Sequence, residues 1–320
     1  MANRTRSNRL WQIGKYFFAD PLRQAIFSLT NHDKLPLSWF LSQNWGDALN
    51  PLLVEMLSGK RVVAGPGHYC DHFLVVGSIL GTSNRNSQVW GSGFIKDGDS
   101  VTESPKMIHA IRGPLSREAL LSAGIPCPEV YGDPALLFPL FFDPQVRKEY
   151  EFGIVAHYVD KEHPWVDAHR NRPDVLIIDI EGDTWQFVRD IKSCKAVFSS
   201  SLHGLICADA YGVPNVWIQM SDEVIGGDFK FRDYRLSIGA DEAFPIIVRP
   251  GDMVDSIAHE VARHELKIDL RKLLLACPFI SPQIRAFVED SVGDPPLHGQ
   301  VLRQFVSQDL SGCNDSISKT

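Results

Sequence analysis

Between Lys195 and Met220 the chain reads K-A-V-F-S-S-S-L-H-G-L-I-C-A-D-A-Y-G-V-P-N-V-W-I-Q-M, and this stretch leaves few folds open. Residues 196–198 are a short apolar β-prone run, and Ser199, Ser200 and Ser201 follow as three small hydroxyl residues. From Leu202 the spacing Leu202, Leu205, Ile206, Asp209, Ala210 is that of one helical face. Gly212 ends the helix, Pro214 follows, and residues 215–220 read as the next buried strand. The span is therefore a β-turn-α-turn-β unit. Its helix starts at the carboxyl end of a strand, where open α/β sheets place their ligands. His203 lies in the first helical turn, among backbone N–H groups and a positive dipole end that attract anions. A phosphate or carboxylate is the natural guest. The same residues also fit a plainer role, with Ser200 or Ser201 capping the helix and His203 as a hydrogen-bonded wall residue.

The 320 residues suit two α/β domains of ordinary size. A formal net charge of −7 argues against a protein that coats nucleic acid and points to a small-molecule or glycan partner. Six cysteines (Cys70, Cys127, Cys194, Cys207, Cys277, Cys313) form no C-x-x-C pair and suit reduced thiols at a cytoplasmic address. No run reaches the roughly 18 to 20 apolar residues of a membrane span. Arg4, Arg6 and Arg9 precede residues 10–18, but Lys15 interrupts that run and Asp20-Pro21 closes it without a cleavage site, which argues against a signal peptide. An amphipathic helix packed on the domain is expected there, with rest on the anionic inner face of a membrane as the alternative.

Taken in order, residues 10–31 read as helix and residues 35–41 as an apolar segment. Asn44-Trp45-Gly46-Asp47 is a turn that opens a helix through Leu57, with Gly59 ending it and Asp47 complementing its dipole. β-like runs follow at 62–64, 73–79 and 89–94, the last two in glycine turns that match neither a dinucleotide fingerprint nor a P-loop. His68, Cys70 and His72 alternate like metal ligands but lack a fourth, so no metal is expected. Residues 106–111 are a strand, and a helix runs from Arg112-Gly113-Pro114 to about Ala123. Arg112, between strand and helix, is placed to clamp a carboxylate or phosphate. Residues 142–150 are the best linker. A second α/β run begins at Phe152, carries His157 at its strand end, and continues with a strand at 175–180 and a helix at 184–193. His163 and His169 read as surface residues. Residues 226–234, with two glycines, Lys230 and Arg232, read as a mobile cationic loop able to close over a phosphate. Residues 253–277 have a helical pattern, 282–292 begin another helix, and 307–320 form a loose tail.

The run S-S-L-H-G-L-I-C-A-D-A-Y-G-V-P resembles the signature of the polysaccharide pyruvyl transferases, which move an enolpyruvyl unit from phosphoenolpyruvate onto a sugar and usually close it to a ketal. Weaker similarities extend over residues 42–240. They are the N-x-G-D turn at Asn44, Gly46 and Asp47, the W-G-S-G-F segment, an arginine at Arg112, G-D-P-A at Gly132, the His157-Tyr158 pair and the F-K-F-x-D-Y region around Lys230. The resemblance implies α/β architecture with two Rossmann-like domains facing across a cleft, like glycosyltransferases of the GT-B type. The expected division is an acceptor domain at 1–145, a donor domain at 146–275, and a terminal helix and loose tail at 276–320, with the C-terminal helices packing across both domains. It implies His203 as acid/base, with His157 or Asp47 as its partner. Arg112, Lys230, Ser200, Ser201, Leu202 and Gly204 would hold the donor, Asn44, Gly46, Asp47 and His157 would line the cleft, and no cofactor would be needed. The acceptor would be a saccharide, free or lipid-linked. Many family members carry an arginine where this chain has Ser201, so Arg232 or Arg235 would have to substitute. A nucleotide-sugar glycosyltransferase of the same fold, or a glycan-binding scaffold without turnover, fits the same residues.

Overall fold

A computed structural model describes residues 30–65, 67, 69–240 and 244–290. The expected N-terminal helix over 10–29, His68, Cys313 and the tail lie outside these residues. Among the described residues ten strands form two five-stranded sheets. The first contains β1 (Leu35–Leu37), β2 (Val62–Ala64), β3 (His72–Leu74), β4 (Ser87–Trp90) and β5 (Met107–Ala110), in the order β2-β1-β3-β4-β5. The second contains β6 (Tyr150–Val155), β7 (Val175–Ile177), β8 (Cys194–Ser199), β9 (Asn215–Gln219) and β10 (Ile246–Ile247), in the order β7-β6-β8-β9-β10. Every paired neighbour is parallel. The two sheets thus repeat one doubly wound order, with the reversal of direction between β1 and β3 and again between β6 and β8.

Parallel strands need crossovers, and the helices supply most of them. In the first half α1 (Trp45–Ser58) joins β1 to β2 and α2 (Pro114–Ser122) follows β5. In the second half α3 (Pro164–His169), α4 (Thr184–Ser193), α5 (Leu202–Ala210) and α6 (Phe229–Ser237) connect the strands in turn. The expected cap of α1 is present: Asn44 Oδ1 accepts from Gly46 N–H, and Gly59 closes the helix at φ 67° with its N–H on Glu55 O. Pro51 removes one donor inside this helix. Asn50 Nδ2 lies 3.5 Å from Asp47 O, the carbonyl left without that donor, and it also donates to Gly46 O and Val76 O while Oδ1 accepts from Val76 N–H, which pins α1 to the chain beyond β3.

Three expectations change. Residues 226–234 are not a mobile loop. α6 forms there because Phe229, Phe231 and Tyr234 are buried, with Phe231 stacked at 4.4 Å on Trp217 of β9. Residues 253–277 are not one helix. They break into α7 (Val254–Ile257), a 3-10 turn and α8 (Leu270–Leu275), because the segment between them bonds elsewhere: Ala262 exchanges backbone hydrogen bonds with Asn215, and Lys267 N–H donates to Ile238 O. His169 is buried rather than exposed, with Nδ1 beside Trp165 O and Nε2 accepting from Val254 N–H at 3.0 Å.

One apolar cluster spans both sheets. It includes Leu49 and Leu53 of α1, Phe138 of the 3-10 turn Pro134–Leu140, Phe187 of α4, Leu205 and Ile206 of α5 and Leu273 of α8. The C-terminal segment, which ends in α9 (Pro282–Asp290), returns onto the first sheet. Trp90 Nε1 donates to Leu273 O, Ser281 N–H donates to Leu57 O, and Phe279 meets Phe73 and Trp90 edge-on.

The strongest polar tie between the halves is Arg112 with Asp233 of α6, both fully buried, at 2.9 Å from Nη2 to Oδ2. Asp233 also accepts from Ser116 N–H and Ser116 Oγ at the start of α2. A side chain at Gly113 would overlap Asp233. Because the carboxylate is fully satisfied, removing it strands a buried guanidinium. We expect Asp233→Ala to destabilise the fold by roughly 3–5 kcal/mol. Arg112→Met/Asp233→Leu, which removes both charges, should lose less than either single variant in urea titrations.

Candidate functional site

The two reversals of strand order meet. The chain leaving β1 carries Asn44, Gly46 and Asp47, and the chain leaving β3 carries Gly77. The chains leaving β6 and β8 carry His157 and Ser200 to His203. Trp45 N–H donates to Ile180 O at 2.8 Å and Trp45 Nε1 donates to Thr184 O, which seats the start of α1 on the second half. His203 Nδ1 then lies 3.0 Å from Asn44 Oδ1. Gly46 is required there, because even a methyl would overlap the His203 ring.

Neither Ser200 nor Ser201 caps α5. Ser201 occupies the cap position without a side-chain bond to the helix. Ser200 Oγ accepts from His157 N–H and donates to Asp160 Oδ2, and Ser221 donates to the other oxygen of Asp160. Ser199 Oγ accepts from Ser201 N–H. The amides of Leu202 and His203 are the first two of the helix and so have no intrahelical acceptor. Leu202 is buried in the core, and Gly204 is a packing residue, since a Cβ there would strike Ser199 and Val155.

Lys230 is the unusual charge. Its side chain is 7% exposed, its Nζ donates to Ile225 O at 3.0 Å, and it has no carboxylate partner among the described residues. Burial, with the Arg112 charge second, lowers its pKa to about 8. Burial also lowers His203 to about 3, with the charges of Lys230 and Arg112 adding to the effect, and lowers His157 to about 4, with Lys230 adding. Both imidazoles are therefore neutral near pH 7. His203 Nε2 is shielded from solvent and has no hydrogen-bond partner among the described residues. Asp47 moves the other way: burial raises its carboxyl to about 6, against the hydrogen bond it accepts from Ser42 Oγ at 2.6 Å. Two neutral bases, an unpaired cation and open helix amides make an arrangement suited to an anion.

Arg112 is not the free clamp its place in the sequence suggests. Nε donates to Asp233, Nη1 to Ser78 Oγ and Nη2 to Phe94 O, so every nitrogen already has a partner and its charge acts from behind the site. Arg235 is likewise committed, to Asp209 and Asn215. Arg232 lies 3.6 Å from Asp228. His72 is buried with Nε2 on Ser87 Oγ. Sequence reading did not single out Asp233, Asp160 or Asn50. An asparagine directly before a proline inside a helix was the one local signal for Asn50. Beside the site, at the carboxyl end of β9, is a cavity of about 490 Å³ whose lining includes Ser200, Gln219, Asp222, Glu223 and Asp228 and no lysine or arginine.

Fold and site together define a doubly wound α/β protein that brings a buried lysine and a neutral histidine to the place where its two halves touch. The sequence profile described as Polysaccharide pyruvyl transferase matches residues 14–222, and the chain belongs to that family. Family membership implies a transferase that moves a pyruvyl group in polysaccharide biosynthesis, with a saccharide acceptor. The chain is 33% identical over 224 residues to an uncharacterised protein of Acanthamoeba polyphaga mimivirus, a match covering 65% of this chain and 76% of the relative. It is 30% identical over 206 residues to the succinoglycan biosynthesis protein ExoV of Rhizobium meliloti, covering 61% of this chain and 62% of ExoV. A functionally uncharacterised Klebsiella pneumoniae protein of known structure aligns over 71% of this chain and 97% of its own at 9% identity, but a TM-score of 0.39 carries no structural argument. The family match stops short of Lys230 and Asp233. Among the described residues no helix is long and apolar enough to cross a membrane.

Lys230 gives the pH dependence a definite sign. Between about pH 8 and 10.5 the unfolded chain holds a proton that the folded lysine lacks, so native stability rises with pH across that window. Below it the buried charge costs on the order of 3 kcal/mol. Lys230→Met should therefore be more stable than the parent at pH 7 by up to about that amount. The gain should vanish by about pH 10.5, read by urea unfolding at both pH values.

Proposed function

We propose that the protein transfers a pyruvyl group from phosphoenolpyruvate to a sugar of a bacterial exopolysaccharide or its precursor, closing a pyruvate ketal with His203 as acid/base. The observation that carries this reading is Lys230, a buried cation without a counter-ion, set beside the neutral His203. Phosphoenolpyruvate brings the missing negative charge. Its phosphate or carboxylate suits Lys230, the Leu202 and His203 amides and the Ser201 hydroxyl, with Arg112 adding its field from behind.

The chemistry needs a proton on C3 and a hydroxyl oxygen on C2 of the donor. Asp47, whose carboxyl is raised to about 6, supplies the C3 proton. His203 Nε2 takes the proton of the attacking sugar hydroxyl as the O–C2 bond forms. A second hydroxyl of the same sugar then attacks C2 while the C2–O bond to phosphate breaks. Its proton returns to Asp47, and the His203 imidazolium protonates the departing phosphate. Both groups end as they began, and no step calls for a metal or cofactor. Bound donor also offsets the Lys230 and Arg112 charges that hold His203 low, which raises its basicity when it is needed.

In this reading the units 1–145 and 146–275 face each other in the manner of GT-B glycosyltransferases, the first binding the acceptor and the second the donor. The C-terminal helices up to Asp290 pack across them, and the enzyme works in the cytoplasm on a free or lipid-linked saccharide, at the inner face of the membrane in the lipid-linked case. Nucleotide-sugar transfer fits less well, because the cavity beside β9 presents carboxylates and no cation to a diphosphate. The test is thermal stabilisation by millimolar phosphoenolpyruvate, with a nucleoside diphosphate and inorganic phosphate as controls. A ligand at about 100 times its Kd adds roughly 2.7 kcal/mol. That gain should appear with phosphoenolpyruvate and be lost in Lys230→Met. Stabilisation by the nucleoside diphosphate alone would point to glycosyl transfer instead.

A further inference from the structure

We propose that Asn44 is a positioning residue that fixes His203 as its Nδ1–H tautomer and so makes Nε2 the proton-accepting atom of the site. The Asn44 side chain has only one orientation that satisfies its neighbours. Gly46 N–H lies 3.2 Å from Oδ1, and a backbone amide can only donate, so the oxygen and not the NH2 group faces this side. His203 Nδ1 is 3.0 Å from the same oxygen. Two acceptors do not bond, so Nδ1 must carry a hydrogen and donate it. A neutral imidazole has one such hydrogen, and Nε2 is left with a bare lone pair. That nitrogen is the one that is shielded and without a partner.

Three features keep the ring in this state. Gly46 has no side chain, so the ring packs directly against the backbone of the turn that carries Asn44, in space a Cβ would otherwise occupy. Asn44 is itself held by the turn, with its N–H donating to Ser42 Oγ at 3.2 Å. The start of α1 is anchored independently by Trp45 on Ile180. An asparagine in this place orients the ring without adding charge. A carboxylate would stabilise the imidazolium and trap the proton, whereas the amide oxygen leaves Nε2 free to release it. The identity of the hydroxyl that Nε2 deprotonates rests on the function proposed above, but the tautomer does not.

The experiment is two-bond 1H–15N correlation spectroscopy on the full chain with 15N-labelled histidine, with His203→Asn identifying the His203 signals. At pH 7 the parent should show His203 with a protonated Nδ1 and an unprotonated Nε2. Asn44→Ala should convert this to a mixture of tautomers. Asn44→Asp should keep the Nδ1–H form but raise the His203 pKa by about one unit or more, a shift a merely structural residue would not produce. An Nε2–H tautomer or an imidazolium in the parent overturns the inference, and so does an unchanged spectrum in Asn44→Ala. Should that variant fail to fold, the parent spectrum and the Asn44→Asp titration decide alone. Phosphoenolpyruvate stabilisation measured on the same samples separates the two ideas: the expected tautomer without donor binding sinks the proposed function and leaves the role of Asn44 standing.

Discussion

The buried pair of Arg112 and Asp233 is the constraint from which the site's character follows. The turn after β5 and the start of α2 close around one carboxylate of α6, and glycine at 113 lets the backbones come that near. A buried ion pair of this kind adds little stability by itself, because desolvation offsets most of its attraction. Its effect is on geometry and on charge accounting. Asp233 fixes the register of α6, which places Lys230 one turn earlier in the junction. It also spends its negative charge wholly on Arg112 and Ser116. Lys230 is left without a carboxylate among the described residues, and its charge adds to the burial that already depresses His203 and His157.

What the sequence disclosed follows the range of each interaction. Caps and breakers act within a few residues, so the start of α1 at Asn44, its end at Gly59 and the limits of α4 at 184 and 193 were legible. Hydrophobic spacing exposed the β8-α5-β9 unit, and the residues that resemble the family placed His203, Asn44 and Gly46 in one site before their contact was visible. Tertiary effects were hidden. α6 reads as a loop because its aromatic and charged residues alternate without one apolar face, and burial on several sides decides its conformation. The 253–277 stretch has the spacing of a helix, yet hydrogen bonds to Asn215 and Ile238 outcompete it. Arg112 stands where an anion clamp belongs, and nothing in its neighbourhood tells that a carboxylate 121 residues later already holds it.

The family resemblance implied two Rossmann-like domains, but the strand order they share could not be read from the residues, because no sequence repeat accompanies it. The halves have diverged in how they make their crossovers. The second sheet uses a helix each time, whereas the chain between β3 and β4 carries only a three-residue 3-10 turn, Leu80–Thr82. Repetition survives where it matters for chemistry, at the two reversals of strand order. Each contributes a different part of the candidate site, the Asn44 turn from the first and His203 from the second.

The uncompensated lysine has a consequence beyond chemistry. Its buried charge costs the native state stability, and an anion that binds the folded chain beside it, and not the unfolded chain, would return some of that stability in proportion to the logarithm of its concentration. Where marginal folds are continuously cleared, the lifetime of such a protein would then depend on the supply of its ligand.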